Sequence, residues 1–304
     1  MIEKNKLVKT QPIAIFGEVL IDQFPDGQQV LGGAPFNVAW HLQAFGLTPC
    51  FISRVGHDDM GDSIRQAMTA WGMKLESVQI DPNYPTGPVD VTFNDGDGEP
   101  RYKILANQAY DFIAAEPLNL ATDYRVLYHG TLALRNGVSE HALKVLKEHH
   151  TGKVFIDVNL RAPWWHQESV EQWLSKANWV KLNHEELRQL APPQNTLQKT
   201  MRLFLAQLGL DVLIVTCGSL GAMALNNTGE FVEVTPTGNL TIVDTVGAGD
   251  AFSAVLLLGM QRDWSLSVTM KRAQDFASAM VTQRGATVQD LRFYQAFIHE
   301  WNLD

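Results

Sequence analysis

Residues 244–252 read DTVGAGDAF. Gly247 and Gly249 permit backbone angles and close approaches that a side chain forbids. With the helical run behind them they can turn N–H groups toward an oxyanion. Asp250 falls in the first turn of that run, where the helix dipole is expected to keep it ionised. A carboxylate at an anion site is repulsive unless the two groups serve different partners. Phosphoryl transfer to an alcohol needs both: donors for the transferring group, here Gly247, Ala248 and Gly249, and a base for the attacking hydroxyl, here Asp250. The residues alone leave open that Asp250 is simply a helix cap.

A second glycine pair, Gly32 and Gly33, opens LGGAPFNVAWHLQAFG over 31–46. Pro35 suits a first helical turn. Val38, Ala39, Leu42 and Phe45 supply an apolar face, and Asn37, one turn in, is placed to reach back over the glycines. The common nucleotide motifs are absent. The spacing G-x-G-x-x-[G/A] from Gly247 meets Phe252 where a small residue is required, and no G-x-x-x-x-G-K-[ST] occurs. The nine histidines have no metal-ligand spacing. Cys50 and Cys217 stand far apart and read as reduced, buried thiols of a cytoplasmic protein.

The elements that must position these residues are legible as alternation. PIAIFGE, PCFISRVG, VLYHG, KVFIDVN, WVKLN and VLIVTCG read as buried strands. Between them SIRQAMTAWGM, EHALKVLKEHH and TLQKTMRLFLAQLG read as amphipathic helices. This pattern predicts a mostly parallel sheet covered on both faces, a three-layer α/β/α body. Ligands of such sheets lie beyond the carboxyl ends of the strands, which draws attention to Glu18, Asp22, Asn159, Arg161, Asn183, Glu186, Thr216 and Gly218. Two stretches break the alternation, 19–32 and 86–106, and read as antiparallel hairpins forming a small β-lid, the second turning through Asn94–Gly98. The 304 residues carry no repeat or linker and are expected to form one domain, 1–304. A formal charge of −9 argues against nucleic acid as a partner. No apolar run approaches a membrane span, and MIEKNKLVKTQP lacks the apolar centre of a signal peptide.

GGAPFNVAWHLQAFG and DTVGAGDAF resemble the two signature motifs of the ribokinase-like (pfkB) carbohydrate kinases, in the family's order. GEVLIDQFP, SRVGHDDMG, PTG, FIDVNLRAPWW, KLNHEEL and VTCGSLGA extend the resemblance over nearly the whole chain. It implies a ribokinase-like fold, ATP and Mg²⁺ as reactants, and Asp250 as the base. It makes Gly247, Ala248 and Gly249 the anion hole for the γ-phosphate. Asp22, Gly32, Gly33, Asn37 and Arg161 take the substrate side. Asn183, Thr216, Gly218 and Gly221 take the nucleotide side, with Asn183 and Glu186 organising Mg²⁺ through water. It further implies K⁺ beside Asp244, Thr245 and the Arg284–Thr287 stretch, and a homodimer paired through the lid. A non-catalytic sensor on the same fold would have no reason to retain Asp250 together with Asn183 and Glu186.

Within the family, GEVLID, GGAP and DVNLRAPWW look most like fructokinases. The rivals are ribokinases and 2-keto-3-deoxygluconate kinases. The latter usually carry an arginine just after the lid tyrosines, where this chain has Lys103 and Ile104 after Tyr102, with Arg101 before it.

Overall fold

The computed structural model describes residues 11–93, 100–238 and 241–303. Each apolar run read as a strand forms one. In chain order the strands are β1 (Ile13–Phe16), β2 (Leu20–Gln23), β3 (Gln29–Gly32), β4 (Cys50–Gly56), β5 (Val78–Asp81), β6 (Gly87–Phe93), β7 (Pro100–Ile104), β8 (Val126–His129), β9 (Lys153–Asp157), β10 (Trp179–Asn183), β11 (Val212–Thr216), β12 (Ala222–Asn226) and β13 (Phe231–Val234). The helices are α1 (Ala34–Ala44), α2 (Asp59–Ala70), α3 (Gly137–Glu148), α4 (Gln167–Leu174), α5 (His184–Leu190), α6 (Leu197–Leu208), α7 (Ala248–Arg262), α8 (Leu266–Met280) and α9 (Leu291–Trp301).

Nine strands form the body in the order β13-β12-β11-β10-β9-β8-β1-β4-β5. β12 runs antiparallel to both neighbours, and the other pairs are parallel. The period of two along each strand feeds two cores at once. Ile13 and Ile15 of β1, with Val212 and Ile214 of β11, pack under α1, α2, α7, α8 and α9. Ala14 and Phe16, with Leu213 and Val215, pack under α3, α4, α5 and α6. The result is the expected three-layer α/β/α architecture. α7 is buried on nearly every side between α1 and α8; Leu256, Leu257 and Leu258 are all 0% exposed. Burial of each contributes about 1.5–3 kcal/mol, so the helix that carries Asp250 is firmly seated.

A separate four-stranded sheet, β3-β2-β6-β7, combines the two predicted hairpins. β2 pairs antiparallel with β3, and β6 with β7, while β2 and β6 join in parallel. That parallel join was not foreseen from the hairpin patterns. Leu20 and Val89 form a small core with Tyr110, Leu132 and Ala133. Arg135 fastens this region to the body. It bonds Asp111 at 2.7 Å and the Leu105 carbonyl at 2.6 Å, and lies over the Trp164 ring at 4.4 Å. The turn Asn94–Gly98 and the side chains of Arg101 and Tyr102 lie outside the described residues. No helix among the described residues is long and apolar enough to cross a membrane. Cys50 and Cys217 are free thiols, half-buried rather than buried.

Candidate active site

A cavity of about 490 Å³ opens at the carboxyl ends of β1, β9, β10 and β11. The second sheet borders it through Leu20, Val89 and Ile104. Of the predicted residues, Asp22, Gly32, Gly33, Asn37, Arg161, Asn183, Glu186, Thr216, Thr245, Gly247, Gly249 and Asp250 line it.

Gly33 caps the start of α1 with φ 106°, and a Cβ there would stand 2.7 Å from the carbonyl oxygen of Glu18. Only glycine allows the β1–β2 segment and the helix start to close on each other. This brings Asn37 into the cavity, where its Nδ2 donates to Asp250 Oδ2 at 2.7 Å. Asn37 thus binds the carboxylate rather than reaching back over its own glycines, a 213-residue separation that helix geometry alone does not reveal.

Gly247 begins α7 with φ 78°, and a Cβ there would meet Ala286 Cα at 2.4 Å. The 284–288 loop therefore packs directly on the glycine turn. The loop is held from three sides. Asp244 Oδ2 accepts from Gly285 N at 2.9 Å, Trp40 Nε1 donates to the Val288 carbonyl at 3.0 Å, and His41 Nε2 donates to the Ala286 carbonyl at 3.1 Å. Burial holds the His41 pKa down to about 3, so this imidazole is neutral. Ala248 N donates to the Thr245 carbonyl at 3.4 Å, while the next first-turn N–H groups of α7, at Gly249 and Asp250, have no acceptor within the helix and belong to residues that line the cavity.

Five carboxyl groups, Glu18, Asp22, Asp157, Glu186 and Asp250, line the cavity. Burial is the largest influence on Asp250, Asp22, Glu18 and Glu186, and it raises each of them. Asp250 is pushed up to about 6, with Asp157 adding to the rise and Asn37, Lys181 and Arg161 opposing it. Asp22 rises to about 6 against the pull of Arg161, and Glu18 to about 7. At Asp250 desolvation outweighs the favourable partners. The carboxylate is still the main form at neutral pH.

Asn183 and Glu186 form a capping box at the start of α5. Asn183 Oδ1 accepts from Glu185 N and Glu186 N, each at 2.9 Å, and Glu186 Oε2 accepts from Asn183 N at 2.8 Å. Glu186 Oε1 also accepts from Leu160 N at 2.7 Å, which ties the end of β9 to α5. Burial raises the Glu186 pKa. Gly218 and Gly221 lie in the turn after β11, outside the cavity lining. Gly221 has φ 94°, and a Cβ there would stand 2.0 Å from the Val234 carbonyl, so strand packing by itself demands glycine. Ala248 and Asp244 are not among the lining residues.

Two cavity residues were not singled out by sequence. Lys181 Nζ and Asp157 Oδ2 pair at 2.7 Å, and Asp157 also accepts from Ser253 at 2.6 Å and Tyr128 at 3.2 Å. The signal was a lysine inside the apolar strand WVKLN, a charge that a sheet covered on both faces cannot bury unpaired. Glu18 was marked only as a strand-end residue.

Residues 5–291 match the model of the pfkB family carbohydrate kinases. Among curated proteins, the chain is 27% identical to the aminoimidazole riboside kinase of Salmonella typhimurium, covering 90% of this chain and 89% of that one. It is 29% identical to the fructokinase of Klebsiella pneumoniae, over 90% of this chain and 94% of that one. Among solved structures, the fructokinase of Vibrio cholerae with fructose, ADP and calcium superposes with a TM-score of 0.76 at 26% identity, over 94% of this chain and 98% of that one. The same protein is also known as a double mutant with fructose, ADP and potassium. Both glycine turns and the whole of the sheet between them fall inside the matched residues, and the chain belongs to the pfkB family of carbohydrate kinases.

Proposed function

We propose that the protein is an ATP-dependent kinase that phosphorylates a hydroxyl of fructose. The observation that carries this reading is the Asn37–Asp250 hydrogen bond beside the Gly247–Gly249 turn. It orients a carboxylate at the edge of an anion-binding helix start, inside one cavity. Asp250 takes the proton of the sugar hydroxyl as that oxygen bonds to the γ-phosphorus. The bond from phosphorus to the β–γ bridging oxygen breaks, giving sugar phosphate and ADP. The N–H groups of Gly247, Ala248 and Gly249 face the charge that builds on the transferring phosphoryl. Asp22, Gly32, Gly33, Asn37 and Arg161 hold the sugar, and Asn183, Thr216, Gly218 and Gly221 serve the nucleotide side.

Mg²⁺, when bound with ATP, neutralises phosphate charge. Among the described residues no group of three or more His, Cys, Asp or Glu could hold a metal ion. Both Glu186 oxygens already accept backbone N–H groups. This fits Mg²⁺ carried by phosphates and water, with Glu186 acting from outside the direct ligands. K⁺ is proposed beside Asp244, Thr245 and the 284–287 loop, in keeping with the potassium named for the Vibrio cholerae double mutant. The second sheet is proposed to close over the sugar and exclude water, and to pair two copies; solution mass with and without sugar tests the pairing.

Fructose is preferred because fructokinases recur among the relatives and because Glu18, Asp22 and Asp250 make a poor host for an acid sugar. The Salmonella relative keeps a riboside as the second reading. The deciding measurement is kcat/KM for fructose, ribose, mannose, adenosine, aminoimidazole riboside and 2-keto-3-deoxygluconate under one Mg·ATP condition. A higher value for any of the others removes fructose.

A further inference from the structure

Glu18 follows β1 directly and is only 2% exposed, yet it borders the cavity. Its Oε2 has no hydrogen-bond partner among the described residues. Among the described residues no ion pair reaches it. Arg135, a buried guanidinium in its field, is bound to Asp111, to the Leu105 carbonyl and to the Tyr110 hydroxyl, and its Nη1 has no partner among the described residues. Arg161 faces the same cavity without pairing with it. The main chain at Glu18 cannot drift, because Gly33 packs against its carbonyl oxygen. A carboxyl oxygen buried without a donor is destabilising, and a ligand that supplies the donor relieves that cost. Asp22 and Asn37 line the same cavity and add further polar groups to it.

We propose that Glu18 is a specificity-determining residue whose free Oε2 accepts a hydrogen bond from a non-reacting hydroxyl of a neutral sugar. The inference rests on the sugar-kinase reading above and deepens it. A hydroxyl supplies the donor that Oε2 lacks, whereas a substrate carboxylate or phosphate at this position has none to give and meets Glu18 and Asp22 as like charges. Burial raises the Glu18 pKa to about 7, and a hydroxyl donating to the ionised carboxylate would act against that rise.

The test crosses residue and substrate. The full-length chain with Mg·ATP is assayed on its best neutral sugar and on that sugar's series of single-deoxy analogues at the non-reacting positions. Wild type, Glu18→Gln and Glu18→Ala are compared. Wild type is expected to lose at least about 10²-fold in kcat/KM on one analogue, because a site built to bind a hydroxyl rejects its absence strongly. Glu18→Ala should lose a similar factor on the parent sugar but no more than about threefold on that one analogue, since the partner is then missing on both sides. If Glu18→Ala does not fold, Glu18→Met, of similar length but with no oxygen to accept the bond, decides by the same comparison, while Glu18→Gln, whose amide oxygen still accepts, should lose less on the parent sugar. A uniform loss across parent and all analogues, or no loss on the parent, overturns the proposal. Should wild type turn over sugar while the comparison is flat, only Glu18 is misassigned. Should it phosphorylate no sugar at all, the kinase reading falls first and this inference with it.

Discussion

Asn37 Nδ2 and Asp250 Oδ2 meet at 2.7 Å, joining the start of α1 to the start of α7. The bond fixes which carboxylate oxygen is engaged and leaves the other free to accept a proton. Replacement of Asp250 by Asn should preserve the fold and lower kcat by at least about 10²-fold, the scale of general-base catalysis. Near-normal turnover in that variant would take Asp250 out of the mechanism. Asn37→Ala should lower kcat less steeply, because it loosens the base without removing it.

Activity should fall on the acid side. Asp250 and Glu18 take up protons near pH 6 and 7 respectively, and a protonated Asp250 cannot act as base. The kcat/KM profile is therefore expected to decline across that window. Glu18→Gln should remove the upper part of the decline and leave the lower part. A flat profile down to about pH 5 would contradict the burial argument.

The same groups set a stability trend. A carboxyl whose folded-state pKa is raised binds its proton more tightly when folded. Its favourable contribution is present below the unfolded value and disappears as pH rises through the folded value. For Glu18 that window runs from about 4.5 to about 7. Glu18→Gln should therefore raise Tm at about pH 8, where wild type carries the buried charge, by the equivalent of roughly 1–3 kcal/mol. At about pH 5 the gain should shrink. Thermal melts at the two pH values check this; an equal shift at both would point to packing instead.

Lys181 and Asp157 are 5% and 4% exposed and pair at 2.7 Å. Removal of one partner strands the other, so Lys181→Met should cost about 3–5 kcal/mol in urea unfolding. Asp157→Asn added to Lys181→Met should recover part of the loss, since the amide still accepts from Ser253 and Tyr128. A double variant less stable than Lys181→Met would refute the pairing account.

If K⁺ sits beside Asp244, Thr245 and the 284–287 loop, activity should be higher in potassium than in a bulky organic-cation buffer. Asp244 itself already accepts from Val246 N and Gly285 N, so Asp244→Asn should loosen the loop and weaken the potassium response together. Equal rates in the two buffers would dispose of the site.

The body of the fold was legible before any coordinates because its signals are local. Runs such as FISRV and VLIVT read as buried strands, and after FISRV the apolar period changes to that of a helix, α2. The glycines at 33 and 247 announced tight helix starts, and the order of the two turns placed them at opposite ends of the chain. The capping box of Asn183 and Glu186 was only half legible. Its residues stood out, but their mutual bonding and the Leu160 N–H contact depend on where β9 ends beside β10.

Other relationships belong to tertiary structure alone. The chain shows Asn37 and Asp250 as separate polar residues on two helices; the packing of α1 on α7 makes them one unit. Lys181 reads as an oddity within a strand until the parallel register of β10 and β9 sets it against Asp157. Glu18 reads as one more polar residue after a strand until burial strips it of water and leaves Oε2 without a donor. Sequence determines where backbone turns and apolar faces must lie, because those depend on neighbours along the chain. The charge state and partner of a buried polar group depend on desolvation and on contacts across hundreds of residues, and only the folded arrangement decides them.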